Sequence, residues 1–250
     1  MKIAVLGAGP VGLLAVHASH LYLEEPEISV YSIMEMSRMP GAQYLHSDIP
    51  ELTTSEPDGH ITYSKLGSRD GYAEKVYGDF AAPCSWDRFE GTVPAWSLQE
   101  AYSELWKRYS NTIWDGEIRA ELIEKVVEDN DIVFSSINPL GYCVKPDEHE
   151  FHWQQVYTRE ECPQEVPNGT IIYSGDPDDD WYRTANLFSH QSAEYPEKFT
   201  GGGKRVRKPL STTCTCFADD MHRIGRYGVF ESELLVDDAF EQVCEVLDAV

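Results

Sequence analysis

The chain opens on a short apolar run, Ile3 to Leu6, that passes directly into Gly7-Ala8-Gly9-Pro10-Val11-Gly12. Apolar residues in succession, without alternation, predict a strand buried on both faces. Leu13, Leu14 and Ala15 then begin a helical stretch that runs to about Leu23. Ile28-Ser29-Val30-Tyr31-Ser32 reads as a second buried strand, so the chain starts as a β-α-β unit with parallel strands. Ser97-Leu98-Gln99-Glu100 has the spacing of a capping box. It predicts a helix whose Leu98, Ala101, Tyr102, Leu105, Trp106 and Tyr109 share one face. Ile118 to Glu128 predicts another helix, with Ile118, Leu122, Ile123 and Val126 as its stripe. Asp131 to Ile137 returns to the buried-strand pattern.

Beyond residue 150 the pattern changes. Phe151 to Thr158 and Thr170 to Ser174 read as strands joined through a turn at Pro167-Asn168-Gly169, with Trp181 to Ser189 as a third. These predict an antiparallel element. Asp238 and Glu241 form a cap-like pair before a last helix, Ala239 to Ala249, striped by Val236, Phe240, Val243, Cys244 and Leu247. Residues 50–95 are rich in Gly, Pro, Ser and Asp, with one strand-like segment at His60 to Ser64. A loop-rich stretch of that length is more often functional than idle. It predicts a substrate-facing loop-and-helix insertion over residues 50–125 within a single domain, 1–250. Tyr72, Tyr77, Trp86 and Phe89 would supply its wall or its packing.

The glycines carry the first chemistry. Strand, Gly7-x-Gly9-x-x-Gly12 and helix, in that order, form a dinucleotide-binding pattern. Gly7 permits the tight turn, Gly9 lets a pyrophosphate approach the backbone, and Gly12 lets helix and strand pack closely. The N–H groups at the helix start, with the helix dipole, then face the phosphates. In such folds an acid about 20 positions further on commonly holds the ribose hydroxyls. Counting from Gly12 leads to Ser32, with Glu35 and Arg38 close behind. Either Glu35 or Ser32 takes the ribose, or Ser32 and Arg38 suit a 2′-phosphate. The Pro40-Gly41-Ala42-Gln43 step suggests backbone lying against something flat or anionic.

Composition narrows the partners. Hydrophobic residues make up 42% of the 250, enough for a core, yet no run approaches the ~20 apolar residues of a membrane span. The opening apolar run is too short for a signal peptide, so a cytoplasmic protein without a membrane partner is expected. A formal net charge of -23 repels phosphate backbones and argues against nucleic acid. It also suits a high-salt habitat. Lys204-Arg205-Val206-Arg207-Lys208 is a local basic stretch, read as a solvated loop, with contact to an anionic substrate as the alternative. Six cysteines are dispersed and read as reduced thiols. Cys214 and Cys216 form a C-x-C pair, and His149 lies near His152. Neither completes a ligand set by itself, so no metal is expected.

The order of these pieces resembles the flavin-binding Rossmann superfamily, within it the amine-oxidase and UDP-galactopyranose mutase type. Gly7-Ala8-Gly9-Pro10-Val11-Gly12 resembles that family's FAD pyrophosphate loop, and Pro40-Gly41-Ala42 its Gly-Gly step, with Ala42 for the second glycine. Tyr173-Ser174-Gly175 and Trp181-Tyr182-Arg183 resemble the late strands that face the flavin ring. Gly225-Arg226-Tyr227-Gly228, followed by Val236-Asp237-Asp238-Ala239, resembles the closing motif, in which a helix N-terminus approaches the flavin and pyrophosphate. The resemblance implies an α/β, Rossmann-like FAD/NAD(P)-binding fold with a parallel sheet, an added antiparallel element and a small inserted substrate-facing region. It implies FAD as cofactor, with NAD(P) as the alternative, and a small-molecule substrate. His46, Tyr182 and Arg183 become the candidates for the reacting side chains, with Arg226 a further candidate for substrate contact. The implied activity is an FAD-dependent oxidoreductase. The alternatives are an NAD(P)-dependent reductase, favoured by Ser32 and Arg38, and a non-redox nucleotide-sugar mutase using Arg183 and residues 204–208. A non-catalytic nucleotide-holding protein is the remaining reading.

Overall fold

The computed structural model describes residues 1–32, 43–78, 84–116 and 118–250. Its first elements are β1 (Lys2–Leu6), α1 (Pro10–Tyr22), β2 (Glu27–Ser32), β3 (Gly59–Gly67), α2 (Arg69–Tyr77), α3 (Ser85–Arg88) and β4 (Thr92–Ala95). Then come α4 (Leu98–Tyr109), β5 (Ile113–Asp115), α5 (Ala120–Asp129), β6 (Ile132–Ser135), β7 (Phe151–Arg159) and β8 (Thr170–Gly175). The last are β9 (Arg183–Leu187), β10 (His190–Pro196), β11 (Lys204–Thr212), β12 (His222–Arg223) and α6 (Val236–Asp248). The chain divides into two compact units, one of Met1–Ser37, Glu100–Trp153 and Pro209–Val250, the other of Arg38–Gln99 and Gln154–Lys208. Residues 50–125 are therefore shared between the units at Gln99/Glu100.

The first unit is built on a parallel sheet in the order β12-β6-β1-β2-β5. β1 lies at its centre, and Ile3, Ala4, Val5 and Leu6 are wholly buried, as the unalternating apolar run requires. In α1 every residue from Gly12 to Ser19 is buried, which is why this helix shows no polar face. It packs against α6 as well as the sheet. α5 is amphipathic and lays Ile123 and Val126 over Ala4, Leu6 and Val133. The third strand of this sheet in chain order is β5, which the hydrophobic pattern does not predict. It has three residues at the sheet edge, and its Trp114 is 65% exposed. α6 starts at Val236, three residues before the predicted start, with Leu235 as its N-cap. Asp238 therefore acts from inside the first turn, where its carboxylate accepts the Leu235 N–H at 2.7 Å.

The second unit is built on a seven-stranded sheet in the order β11-β7-β10-β9-β8-β3-β4. β3 and β8 are parallel, while β7/β10, β10/β9, β9/β8 and β3/β4 are antiparallel. β7 and β8 are not neighbours, so Pro167-Asn168-Gly169 does not close a hairpin between them; β10 and β9 intervene. The tight hairpin is β9–β10, turning through Phe188 and Ser189, both at positive φ (50° and 66°). Residues read as loop between 50 and 95 contain β3, α2, α3 and β4. Tyr72 packs with Trp86, Tyr173 and Tyr182 in an aromatic core, and Phe89 stacks on Tyr63. The start of α2 rests directly on the end of β8. A Cβ on Gly175 would sit 1.8 Å from the Ser68 carbonyl oxygen. Gly175→Ala should therefore lower the urea midpoint, by the equivalent of at least about 1–3 kcal/mol. Gly141→Ala, whose Cβ would meet nothing within 4 Å among the described residues, is the control. Equal midpoints for the two variants would contradict this packing account.

Candidate functional site

The three glycines of the opening loop differ in what demands them. Gly7 sits at φ +98°, and a Cβ there would come within 2.6 Å of Ser136 Oγ. A Cβ on Gly12 would lie 1.8 Å from the Gly7 carbonyl oxygen. Both positions are fixed by strand–helix packing. Gly9 has φ -70° and ψ 178°, extended backbone that any residue adopts. Among the described residues, a Cβ there would meet no atom within 4 Å. Neither conformation nor packing among the described residues requires a glycine at this position.

The loop is held from several sides. Gly7 N–H donates to Tyr31 O at 2.8 Å, and Tyr102 Oη donates to Ala8 O at 3.0 Å. Ser32, buried at the end of β2, accepts the Ala8 N–H on its Oγ at 3.3 Å. Pro10 opens α1, whose N-terminus has no side-chain cap and no acid in its first turn. The positive end of the helix dipole is therefore not neutralised from within the helix. Val11, in that first turn, is half-buried.

The closing segment arrives at the same place. Ile224 N–H donates to Ser135 O at 2.9 Å as the chain leaves β12. Gly225 follows at φ +63°, where a Cβ would lie 2.9 Å from Val11 Cγ1 and 3.3 Å from Ala239 Cβ. Its N–H donates to Gln242 Oε1 at 2.9 Å. Gly225 thus occupies the junction between the first turns of α1 and α6, and Val236 belongs to the same turn of α6 as Ala239. Arg226 begins a π-helical turn that ends at Phe230. The structure therefore groups Gly7 to Gly12 with Ser32, Gly225 and Ala239. Glu35, Arg38, Gly41 and Ala42 lie outside the described residues. Gln43 is exposed and belongs to the second unit.

His46, Tyr182 and Arg183 also lie in the second unit. The His46 ring sits 4.2 Å from that of Tyr44 and stacks on Phe89 at 5.6 Å. Tyr44 Oη and Tyr63 Oη are hydrogen-bonded to each other. Tyr182 and Arg183 both converge on Glu194, a carboxylate only 2% exposed. Tyr182 Oη donates to Glu194 Oε2 at 2.7 Å, Arg183 pairs with Oε1 at 2.5 Å, and Lys208 Nζ pairs with Oε2 at 2.8 Å. Burial works to raise the Glu194 carboxyl, and the Arg183 and Lys208 charges overcome it, holding the group well below the usual carboxylate range. Burial and the Glu194 charge together push the Tyr182 phenol far up. Lys204 to Lys208 is thus no solvated loop. It is the first half of β11, with Lys208 turned onto the buried acid.

A second constellation lies in the first unit and was not expected from the sequence. Cys143, His149, Cys214 and Cys216 bring one ligand atom each to within 4.8 Å of one another. Cys143 Sγ is 3.2 Å from His149 Nδ1 and 3.8 Å from Cys216 Sγ, and Cys216 Sγ is 3.8 Å from the same nitrogen. The C-x-C pair was the visible signal; its partners come from the loop between β6 and β7.

No protein-family model matches the chain, and no curated protein matches it. Among solved structures it resembles MibH, a lathipeptide tryptophan 5-halogenase, with TM-score 0.56 and 9% identity over 99% of this chain and 65% of that one. The two proteins share a fold. That fold is an α/β, Rossmann-like arrangement with a parallel core sheet and an additional mixed sheet. Lesser likenesses are to 2,6-dihydroxypyridine-3-hydroxylase from Arthrobacter nicotinovorans (TM-score 0.40, 13% identity, 80% of this chain and 57% of that). Another is to a protein from Photorhabdus luminescens assigned as an FAD-containing monooxygenase (TM-score 0.36, 13% identity, 71% and 54%). The chain spans between 54% and 65% of the length of these three proteins. Among the described residues no helix is long and apolar enough to cross a membrane.

Proposed function

We propose that the chain is an FAD-dependent oxidoreductase acting on a small substrate, with the Gly7–Gly12 loop as its pyrophosphate site. The observation that carries this reading is Gly9. It is the one glycine of the motif whose missing side chain is explained neither by backbone geometry nor by packing among the described residues. Space in front of a helix N-terminus with no capping acid suits an anionic group. The backbone N–H groups of the first turn of α1 would bind the phosphates. Ser32 stands beside the loop, where a ribose would follow. The first turn of α6, led by Val236, packs at the same junction through Gly225 and Ala239, with its own Asp237 and Asp238 offsetting its dipole. When bound, FAD supplies the electron and hydride chemistry, and the protein orients it and sets its surroundings. A net charge of -23 further supports a small molecule, rather than nucleic acid, as partner.

The test is purification followed by a visible absorption spectrum, with heat release and identification of any flavin. A yellow protein carrying FAD is the expected result. A colourless protein whose melting temperature FAD does not raise would overturn the proposal. Ser32 favours one second reading, an NAD(P)-dependent reductase, because it replaces the acid that would grip a ribose. In that case NAD(P)H, and not FAD, would raise the melting temperature. Arg183 and Lys208 are both turned onto Glu194, so a nucleotide-sugar mutase gains no phosphate contacts from them.

A further inference from the structure

We propose that Cys143, His149, Cys214 and Cys216 bind a structural zinc ion. The proposal stands independently of which nucleotide the protein takes. Zinc–sulfur bonds of about 2.3 Å in a tetrahedron separate neighbouring sulfurs by about 3.8 Å, and sulfur from nitrogen by about 3.5 Å. The Cys143–Cys216 sulfurs are 3.8 Å apart, and His149 Nδ1 lies 3.2 and 3.8 Å from them. A disulfide requires about 2.05 Å, and all of these cysteines are free thiols. Three soft sulfurs and one imidazole select zinc over the oxygen-seeking cations. Four protein ligands fill the tetrahedron and leave no open position, which marks a structural rather than a catalytic ion.

The surroundings are built for it. Cys214 is 4% exposed. Three thiolates and one Zn²⁺ carry a net charge of about -1, and the Arg223 guanidinium lies alongside, 3.9 Å from Cys214 Sγ. The same guanidinium donates to the Cys214 and Cys216 carbonyl oxygens, each at 2.7 Å, and so fixes the C-x-C backbone. The two ligand loops are joined beside the site. Glu150 N–H donates to Thr213 Oγ1 at 2.9 Å, and Thr213 N–H to Glu150 O at 3.1 Å. On binding, three S–H bonds break, three Zn–S bonds and one Zn–N bond form, and the thiol protons leave to solvent. No electrons are transferred. The ion would tie the loop after β6 to the loop before β12, which has only two residues and runs on into Gly225.

The test begins with metal content of the intact protein after purification without chelator. About one zinc per chain is expected for a four-ligand site. Cobalt substituted for zinc should give the intense visible bands of a tetrahedral site and a near-ultraviolet thiolate band. Cys216→Ser should lose the zinc, while Cys84→Ser, in the other unit, should keep it. His149→Cys preserves four soft ligands and should also keep it, which separates ligation from folding. Arg223→Ala should weaken zinc affinity about 10–100-fold. Removing the ion with a chelator should lower the melting temperature of the wild type and not that of Cys216→Ser. The proposal fails if the purified protein holds no zinc and added zinc neither binds nor raises its melting temperature. It fails equally if iron occupies the site, or if a native Cys143–Cys216 disulfide is found.

Discussion

Gly9→Val should strip the protein of its flavin and leave it folded. The backbone at Gly9 is extended, which valine favours, and a Cβ there meets no atom of the described residues within 4 Å. Its branched methyls would project into the space proposed for the pyrophosphate. A loss of at least about 100-fold in affinity is expected, equivalent to about 2.7 kcal/mol. The readouts are flavin per chain after gel filtration and the melting temperature of the apoprotein. Gly12→Ala makes the opposite prediction. Its Cβ would lie 1.8 Å from the Gly7 carbonyl oxygen, so the fold should suffer whether or not flavin is present. Normal flavin content in Gly9→Val would remove the basis for placing the phosphates at this loop.

Glu194→Gln should destabilise the second unit more than any surface substitution. The carboxylate is fully enclosed and balances two cations, Arg183 and Lys208. Removing one member of a buried charge network leaves uncompensated charge in apolar surroundings, at a cost of about 3–5 kcal/mol. Against a usual domain stability of about 5–15 kcal/mol, that is a large share. The pH dependence follows from the depressed folded-state pKa. Burial pushes the carboxyl up, but the paired cations push it further down. Its stabilising contribution is therefore full above the unfolded value of about 4.3 and is lost as pH falls from there toward the folded value. Urea midpoints measured from neutral pH down through that window should fall for the wild type. The Glu194→Gln midpoints should start lower and fall less. Parallel curves would show that the acid is not held as its three partners indicate.

What was legible in the sequence was mostly local. Strand β1, the glycine turn, α1 and β2 follow one another within a span where each signal supports the next. The capping box at Ser97 located α4 for the same reason. The missed pieces lack local signals. β5 and β12 have three and two residues, too few for any period to register. α2 buries only Tyr72 and Ala73 of nine residues, so it offers no apolar stripe. The N-cap of α6 is Leu235, which carries no capping side chain, and this shifted the predicted start toward Asp238. The β9–β10 turn uses Phe188 and Ser189, without the glycine or asparagine that usually announces a hairpin. Strand order in the second sheet, and the thiol cluster, depend on long-range pairing. Cys216 lies 73 residues from Cys143.

The glycine loop is synthesised well before several of the neighbours that complete it. β1 is anchored to the start of β6 through a hydrogen bond from Lys2 N–H to Asp131, 129 residues away. Its companions β12 and α6 come later still. The second unit ends at Lys208, so all of its strands are synthesised before those last pieces of the first. Such non-local closure is slow and leaves apolar edges uncovered meanwhile. The early β-α-β segment gains β6 only after residues 38–99 have been made, and the outer edge of β6 stays open until β12 follows the last residue of the second unit.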